Sequence, residues 1–285
     1  MDLQLIQKLN SLTSSFYVQV ATSFSSTRTY PWQGWQQLAP MLQDLLFQHG
    51  SLTVADFACG NLRFEDFLLR TLGENGASVA GREASIRAQS AHKQLSCYAF
   101  DNCPQLMHEA ALELSSPQDI QFDLKLCTCD LMDALLSWNG EASFIGRPVQ
   151  LAVSFGFMHH IPSFSLRVQA LKYFASSLDE GAVLCVSLWQ FMKSPHLAYK
   201  AQKALERARM QGILSEEEIA GLEAGDMLLG WQESTEYFRY CHHFEEPEIE
   251  NLVSSLDNTL ALEERFVADG KSQDLNTYLV FRKKQ

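Results

Sequence analysis

The sequence predicts an α/β protein with an open, mostly parallel, Rossmann-like sheet that helices cover on both faces. Short, near-continuous apolar segments alternate with amphipathic segments over the central part of the 285-residue chain. This alternation is typical of parallel strands that are joined by crossover helices and buried on both sides. Near the C-terminus, two apolar segments follow each other across a short polar turn, so one of them is expected to run antiparallel to its neighbours.

Seven strands can be placed along the chain from these segments. Their predicted ranges are 51–57, 95–101, 122–130, 149–158, 181–189, 260–270 and 275–283. Helices are predicted at 64–72, 104–114 and 165–178. A seven-stranded sheet that ends in an antiparallel hairpin is the arrangement of the class I methyltransferases.

Composition and charge limit the classes of function. The net charge of −12 works against broad electrostatic binding to a phosphate backbone. Seven cysteines without a C-x-x-C pair predict reduced thiols in a cytoplasmic protein. No run reaches the ~18 apolar residues of a membrane span, and the N-terminus does not resemble a secretory signal, so no membrane partner is expected.

The loop after the first strand gives the first indication of a ligand. It reads D-x-A-x-G-N from Asp56 to Asn61, with one glycine, Gly60. The G-x-G-x-x-G pattern of diphosphate-binding loops is absent, which argues against NAD and FAD. The pattern resembles the D-x-G-x-G-x-G motif of S-adenosylmethionine (SAM)-dependent methyltransferases. By that resemblance Asp56 serves the ammonium group of SAM, and backbone from Ala58 to Asn61 passes beside its methionine chain.

Acidic residues at the ends of the next two strands strengthen this interpretation. Asp101, which Asn102 follows, ends the second strand and is placed to accept both ribose hydroxyls. Either residue could instead cap the helix that begins at Pro104. Asp130 ends the third strand and is expected to accept from the adenine amino group, with the backbone N–H of Leu131 facing a ring nitrogen. Further cofactor contacts are expected at the end of the fourth strand, from residues Ser154 and Phe155.

Four regions follow from these assignments. The SAM-binding core is expected at 51–189, behind an N-terminal helical or lid segment at 1–50. A polar helical insertion is expected at 190–235, and C-terminal strands at 236–285 are expected to complete the sheet.

Five sequence blocks together resemble a more specific family. They are "FSSTRTYPWQGW" (24–35), "FMHHIPSFSLRVQAL" (157–171), "GAVLCVSLWQ" (181–190), "DMLLGW" (226–231) and "YFRYCHHFEEPEIENL" (237–252). In this order they resemble the tRNA wobble-uridine carboxymethyl methyltransferases and their uncharacterised relatives. The resemblance implies O-methylation of a carboxylate, a tRNA partner and a small activating subunit. The chain departs from the family pattern at Ala58 and Leu62, where the family has glycine.

A carboxylate acceptor would need no general base, because it is already ionised at neutral pH. It would need a clamp, for which the candidates are Arg28, Arg167 and Arg239. Arg28 is expected to reach either this acceptor or the carboxylate of the cofactor. His159 is expected to orient the substrate. A zinc site that takes one histidine from each of the pairs His159–His160 and His242–His243, plus Cys241, is a less favoured alternative, and no metal is predicted.

Three alternatives stay open at this point. The acceptor could be a carboxylate on a small molecule or on a protein instead of tRNA, which the acidic charge favours. The chain could also be a non-catalytic protein of the same fold that binds a partner.

Overall fold

A computed structural model describes residues 1–73, 93–140, 147–231 and 236–285. Its centre is a seven-stranded sheet in the order β3-β2-β1-β4-β5-β9-β8. Those strands are β1 (Ser51–Phe57), β2 (Lys93–Asp101), β3 (Ile120–Thr128), β4 (Val149–Ser154), β5 (Leu178–Trp189), β8 (Leu260–Ala268) and β9 (Asn276–Lys283). The predicted class of fold is confirmed, including an antiparallel β9 between β5 and β8.

Nine helices accompany the sheet in the described residues. They are α1 (Leu3–Ser26), α2 (Trp35–His49), α3 (Arg63–Leu72), α4 (Pro104–Ala111), α5 (Leu131–Ser137), α6 (Phe164–Ser176), α7 (Pro195–Met210), α8 (Glu216–Ala220) and α9 (Glu246–Ser254). Local sequence explains several of their starts, since Asp2, Asp130, Ser163 and Ser194 each cap the following helix with a side-chain oxygen.

Helices cover both faces of the sheet. On one face α5, α6 and α9 pack on a cluster that includes Phe57, Phe174 and Leu252. On the other face α2 and α3 pack on a cluster that includes Trp35 and Leu68. β1 and β4 are neighbours in the sheet. From β1 the chain continues to β2 and β3 on one side, and from β4 it continues to β5 on the other, so the strand order reverses between β1 and β4. A crevice opens at this point, beyond the carboxyl ends of the two strands.

Two short strands differ from the sequence-based expectation. β6 (Asp226–Leu229) and β7 (Arg239–His242) form a separate antiparallel pair, so the insertion expected to be helical contains a strand. The region that begins at residue 236 was expected to complete the main sheet. Its first strand, β7, does not join that sheet. Part of the expected insertion, residues 232–235, lies outside the described residues.

The fourth strand is shorter than the range 149–158 predicted from its apolar sequence. β4 ends at Ser154, Gly156 adopts a φ of +79°, and a 3₁₀ turn follows at Met158–His160. A Cβ on Gly156 would lie 3.1 Å from the ring of Trp32, so glycine also allows the N-terminal segment to approach closely.

The N-terminal segment lies against the carboxyl ends of the strands, where Asn10 and Ser14 of α1 bind Asp130 and Asn102. α1 packs with Leu5 and Leu9 on a cluster that contains Leu228 and Tyr240 of the β6–β7 pair.

No helix in the described ranges is both long and apolar enough to cross a membrane.

Candidate functional site

A cavity of about 540 Å³ lies beyond the carboxyl ends of the parallel strands. Its lining comes from α1 and the α1–α2 connection, from the loops after β1 to β5, and from β7 and the β8–β9 turn. We call the part formed by the loops after β1, β2 and β3 the loop end. We call the part formed by His159, His160, Trp189, Leu197 and Arg239 the histidine end.

The loop after β1 keeps a glycine-like backbone although two of its positions are not glycine. Ala58, Gly60 and Leu62 have φ values of +66°, +57° and +54°. Ala58, Gly60 and Asn61 line the cavity. The Leu62 side chain instead packs among Cys59, Ala99 and Met107, so it does not crowd the cavity.

Asp101 holds the loop after β1 in place. Its Oδ2 accepts from the Gly60 N–H at 2.9 Å, and its Oδ1 accepts from the Cys103 N–H at 2.8 Å. Burial raises the pKa of Asp101, and the backbone N–H donors oppose this shift. Asp101 lines the cavity together with Asn102, whose amide donates to Ser14 of α1. The capping alternative is wrong, because the N-cap of α4 is Cys103 and no side chain caps this helix; Asp101 binds the N–H of Cys103, just before the helix begins.

Asp130 and Leu131 lie where the adenine contacts are expected. Asp130 Oδ1 accepts from the Met132 N–H at 2.8 Å and caps α5, while its Oδ2 accepts from Asn10 of α1 at 3.3 Å. Asp130 and Leu131 both line the cavity, and Asn10 lines it beside them.

Two residues expected to contact the cofactor do not line the cavity. Asp56 is buried against Glu65 of α3, and desolvation together with the charge of Glu65 raises its pKa well above the usual range. Ser154 is buried and donates to the carbonyl of Phe57 at 3.0 Å, which ties β4 to β1. In contrast Phe155, which directly follows the same strand, lines the cavity.

Sequence reasoning missed Arg63, which lines the cavity directly after the loop. Its guanidinium donates to Asn61 Oδ1 at 3.2 Å and to the Tyr30 carbonyl at 3.1 Å, and it lies over the stacked rings of Trp32 and Trp35. Desolvation and the charge of Arg28 lower its pKa to about 10, so it stays positive at neutral pH. The signal in the sequence is its place as the first residue of the helix that follows the ligand-binding loop.

Arg239 brings a buried positive charge to the histidine end. Its side chain is 7% exposed, and its Nε and Nη1 atoms have no hydrogen-bond partner in the described part of the chain. The guanidinium lies over the rings of Phe16, Tyr17 and Trp231 at 4.7 to 6.0 Å. Aromatic rings stabilise a cation but leave its N–H donors available to an anion.

Arg28 lines the cavity beside Arg239, whereas the third predicted clamp does not. The Arg28 guanidinium lies 5.7 Å from the ring centre of Trp231, a ring that it shares with Arg239. Burial and the charge of Arg239 lower its pKa. Arg167 lies outside the cavity and uses its guanidinium to bind Glu223 and Glu248 at 2.8 Å each.

Both histidines of the first pair line the cavity in their neutral form. Burial lowers the pKa of His159 well below its usual range, and burial with the charge of Arg239 lowers that of His160 to about 3. His160 lies 2.7 Å from the Tyr240 carbonyl through Nδ1 and 2.9 Å from the Tyr17 hydroxyl through Nε2. Since a carbonyl only accepts, Nδ1 carries the proton and Tyr17 donates to Nε2.

His159 is the uncommitted member of that pair. Its ring packs 4.9 Å from Trp189, and its Nδ1 is buried without a hydrogen-bond partner in the described ranges. The expected substrate-orienting histidine is therefore at the cavity with one ring nitrogen free.

Metal ligation at the histidine end is disfavoured by the groups around it. His159, His160 and Cys241 have ligand atoms within 4.8 Å of one another, which is a different set from the one considered in the sequence. However, both ring nitrogens of His160 already have partners, and Arg239 places a permanent positive charge beside the cluster. Neither histidine of the second pair belongs to this cluster: His242 binds Asp226 and Glu248, and His243 accepts a hydrogen bond from the Met192 N–H at 3.3 Å.

Known structures share this architecture at low sequence identity. No family model matches the chain, and the comparison with curated proteins finds no match. A structure described as the DhpI-SAM-HEP complex is similar over 99% of both chains, with a TM-score of 0.55 and 15% identity. A SAM-dependent methyltransferase from Methanosarcina mazei is similar over 86% of this chain and 97% of its own, with a TM-score of 0.51 and 15% identity. Another from Clostridium acetobutylicum is similar over 94% of this chain and 99% of its own, with a TM-score of 0.50 and 12% identity.

The strand order, the antiparallel β9 and the cavity beyond the strand ends are those of a class I SAM-dependent methyltransferase, and the chain has this fold. The cofactor that the fold and its strand-end acids fit is S-adenosylmethionine. The comparisons do not single out the wobble-uridine carboxymethyl methyltransferases among the proteins of this fold.

Proposed function

We propose that this protein is a SAM-dependent methyltransferase that esterifies a carboxylate. The observation that carries the proposal is the buried guanidinium of Arg239, which lines the cavity with two N–H-bearing atoms unpartnered in the described residues. A buried, unpaired charge is costly, so such a guanidinium calls for an anion in the working complex. A carboxylate matches the planar fork of arginine.

The cofactor would occupy the loop end. Asp101 would accept from the ribose hydroxyls, Asp130 and the N–H of Leu131 would face the adenine, and the backbone at Ala58 and Gly60 would pass along the methionine chain. These residues fit the cofactor because they line one continuous cavity and present acceptors beyond two neighbouring strands. The methyl group would then lie toward the histidine end, where Arg239 would hold the acceptor.

The chemistry of the histidine end favours an acceptor that arrives already ionised. One carboxylate oxygen attacks the methyl carbon, the carbon–sulfur bond breaks, and its electron pair stays on sulfur. The products are a methyl ester and S-adenosylhomocysteine, and no proton moves. Both histidines hold their protons weakly, because burial and Arg239 lower their pKa values. They are therefore poor bases for an alcohol or an ammonium acceptor.

The reaction also neutralises charge, since a sulfonium and a carboxylate become two neutral groups. A cavity that excludes water favours such a step, because it offers less solvation to the separated charges of the ground state. Arg239 and the neutral histidines would mainly align the carboxylate with the methyl group.

Three classes of carboxylate acceptor fit this reaction. A carboxymethyl group on a tRNA wobble uridine is the acceptor that the sequence resemblance implies, and a protein or small-molecule carboxylate is the alternative. The net charge of −12 and a cavity that α1 covers support the small molecule. A small activating subunit remains part of the tRNA hypothesis.

The direct test is methyl transfer from tritiated SAM to separate fractions of tRNA, protein and small carboxylic acids. A methyl ester releases volatile tritiated methanol in mild alkali, whereas N-methyl and ether products keep their label. We expect alkali-labile label in wild type and its loss in Arg239→Leu. Arg209→Gln, on the exposed side of α7, is the matched control and should leave the rate unchanged.

SAM affinity separates a catalytic defect from a folding defect. Arg239→Leu should bind SAM as wild type does, because Arg239 lies at the histidine end. Alkali-stable label would contradict carboxylate esterification. SAM binding without transfer to any fraction would favour the non-catalytic alternative, and saturation at about 100 times Kd should then still stabilise the fold by about 2.7 kcal/mol.

A further inference from the structure

The charged groups of the cavity balance one another before any ligand binds. In the described residues its lining contains three arginines and three aspartates, namely Arg28, Arg63, Arg239, Asp101, Asp130 and Asp269. SAM carries a sulfonium, an ammonium and one carboxylate, so its binding adds a single positive charge. One negative charge on the acceptor would therefore neutralise the loaded cavity, and a second would be left without a counter-charge in a desolvated site.

The polar groups at the histidine end leave few places for further hydrogen bonds. Both ring nitrogens of His160 have partners, and the proton of the Tyr17 hydroxyl is donated to Nε2 of that histidine. Nε and Nη1 of Arg239 are buried donors without a hydrogen-bond partner, and Nδ1 of His159 is likewise buried without one in the described part of the chain. The Arg28 guanidinium lies beside Arg239 in the cavity lining and can donate to the same anion. These groups suffice for one carboxylate.

The remaining wall of the histidine end is apolar. Trp189 ends β5 and packs its ring 4.9 Å from His159. Leu197 is half-buried on the first turns of α7, and both residues pack on the apolar cluster that contains Cys241. Leu275 adds an aliphatic surface from the β8–β9 turn. An acceptor body in contact with this wall would lose stability for every polar group that it brought without a partner.

We propose that the acceptor is a small monocarboxylic acid with an apolar body, whose carboxylate binds Arg239 and whose body lies against Trp189 and Leu197. This inference rests on the proposed carboxylate methylation and narrows its substrate class. It selects against dicarboxylates, hydroxylated acids and the carboxymethyl group of a nucleic acid, because each brings a further charge or polar group to an apolar wall.

The first experiment compares acids that share one chain length. Octanoate, its dicarboxylate suberate and ω-hydroxyoctanoate are offered with tritiated SAM, and alkali-labile label is counted. Phenylacetate tests an aromatic body. We expect kcat/KM for octanoate or phenylacetate to exceed that for suberate and ω-hydroxyoctanoate by at least about tenfold, or ~1.4 kcal/mol.

The second experiment changes the wall. Leu197→Arg adds a cation next to the apolar body, so the ratio of suberate to octanoate methylation should rise at least about tenfold. Leu205→Arg is the matched control, because Leu205 is also half-buried on α7 but does not line the cavity. The control should keep the wild-type preference, and SAM affinity should be the same in all three proteins.

The outcomes separate this inference from the proposed function. Ester formation on suberate, on protein or on tRNA in preference to the apolar acids would overturn the inference while leaving carboxylate methylation standing. An unchanged preference in a folded Leu197→Arg protein would also overturn it. The absence of alkali-labile label from every acceptor fraction would remove the proposed function itself.

Discussion

At the scale of single residues, Leu62 shows that a substituted glycine can leave a ligand-binding loop intact. Its backbone keeps a left-handed φ of +54°, at a cost of about 1 kcal/mol, and its side chain is 1% exposed among Cys59, Ala99 and Met107. The packing of a buried leucine offsets that cost. The side chain points away from the cavity, so it has no direct effect on the cofactor.

A substitution at Leu62 should therefore change stability and not affinity. Leu62→Ala should lower the free energy of unfolding by about 2 to 4 kcal/mol, because it leaves a cavity in that cluster. Urea denaturation measures this loss, and calorimetric SAM affinity should stay within about twofold of wild type. Ala58→Gly, which relieves backbone strain and removes only one partly buried methyl group, is the contrast and should be near neutral. Tighter SAM binding by Leu62→Ala would show that the leucine does crowd the loop.

Asp101 should matter more for the cofactor than any other strand-end acid. Its carboxylate holds the Gly60 N–H and also faces the cavity, so Asp101→Asn disturbs both the loop and the expected ribose contact. We expect SAM affinity to fall at least about tenfold, or ~1.4 kcal/mol. Isothermal titration of the folded variant measures this change. An affinity equal to that of wild type would remove the ribose assignment.

At the scale of elements, the strands and crossover helices were predictable because each follows from a local pattern. β1 and β9 carry near-continuous apolar sequence and were found within one residue of their predicted bounds. β6 and β7 were not predicted, since four-residue strands give little periodicity and depend on packing against α1 and α7. The apolar sequence after β4 continued past Ser154, and the turn at Gly156 overrode it.

Within the site too, residues that follow a local pattern were predictable, and residues that depend on distant contacts were not. Gly60, Asp101 and Asp130 were found at the cavity because the ends of parallel strands meet at one edge of a sheet. Arg167 and Arg239 are both arginines in family-like blocks, yet only Arg239 lines the cavity. Arg167 forms salt bridges with Glu223 and Glu248, which lie in distant parts of the chain, and no local sequence pattern predicts that pairing.

The connection between α1 and α2 forms part of the cavity wall and carries Arg28. Asn61 Nδ2 donates to Ser25 Oγ and to the Arg28 carbonyl, each at 3.2 Å, which fastens the connection to the loop after β1. The Arg28 guanidinium then faces Trp231, the ring shared with Arg239. This position favours the acceptor over the cofactor as the partner of Arg28.

Arg28→Gln should consequently separate binding from turnover. We expect SAM affinity to stay within about twofold of wild type, while kcat/KM for the acceptor falls at least about tenfold. Calorimetry and the tritium assay measure the two quantities on the same preparation. A loss of SAM affinity would instead place Arg28 on the cofactor carboxylate. Normal binding together with normal turnover would show that the connection does not act on either ligand.

At the scale of the whole molecule, buried ionisable groups should make stability depend on pH. Desolvation raises the pKa of Glu65 from 4.5 to about 7, and it raises that of the facing Asp56 well above the usual range. His242 also has a raised pKa; burial opposes this shift, and hydrogen bonds to Asp226 and Glu248 outweigh burial. Each folded-state pKa above its unfolded value means that the folded protein binds more protons, so stability is lost as pH rises.

For Glu65 the loss falls between its unfolded pKa of 4.5 and its folded pKa of about 7. The free energy of unfolding should drop over this interval by on the order of 3 kcal/mol from Glu65 alone. Glu65→Gln removes this titrating group, so the stability of the variant should fall less than that of wild type between about pH 5 and about pH 8. At the higher pH the variant should be the more stable protein. Urea denaturation at both pH values measures the difference. Glu250→Gln, at an exposed glutamate on α9, should keep the wild-type slope. An equal slope in Glu65→Gln and wild type would mean that Glu65 is ionised throughout this range.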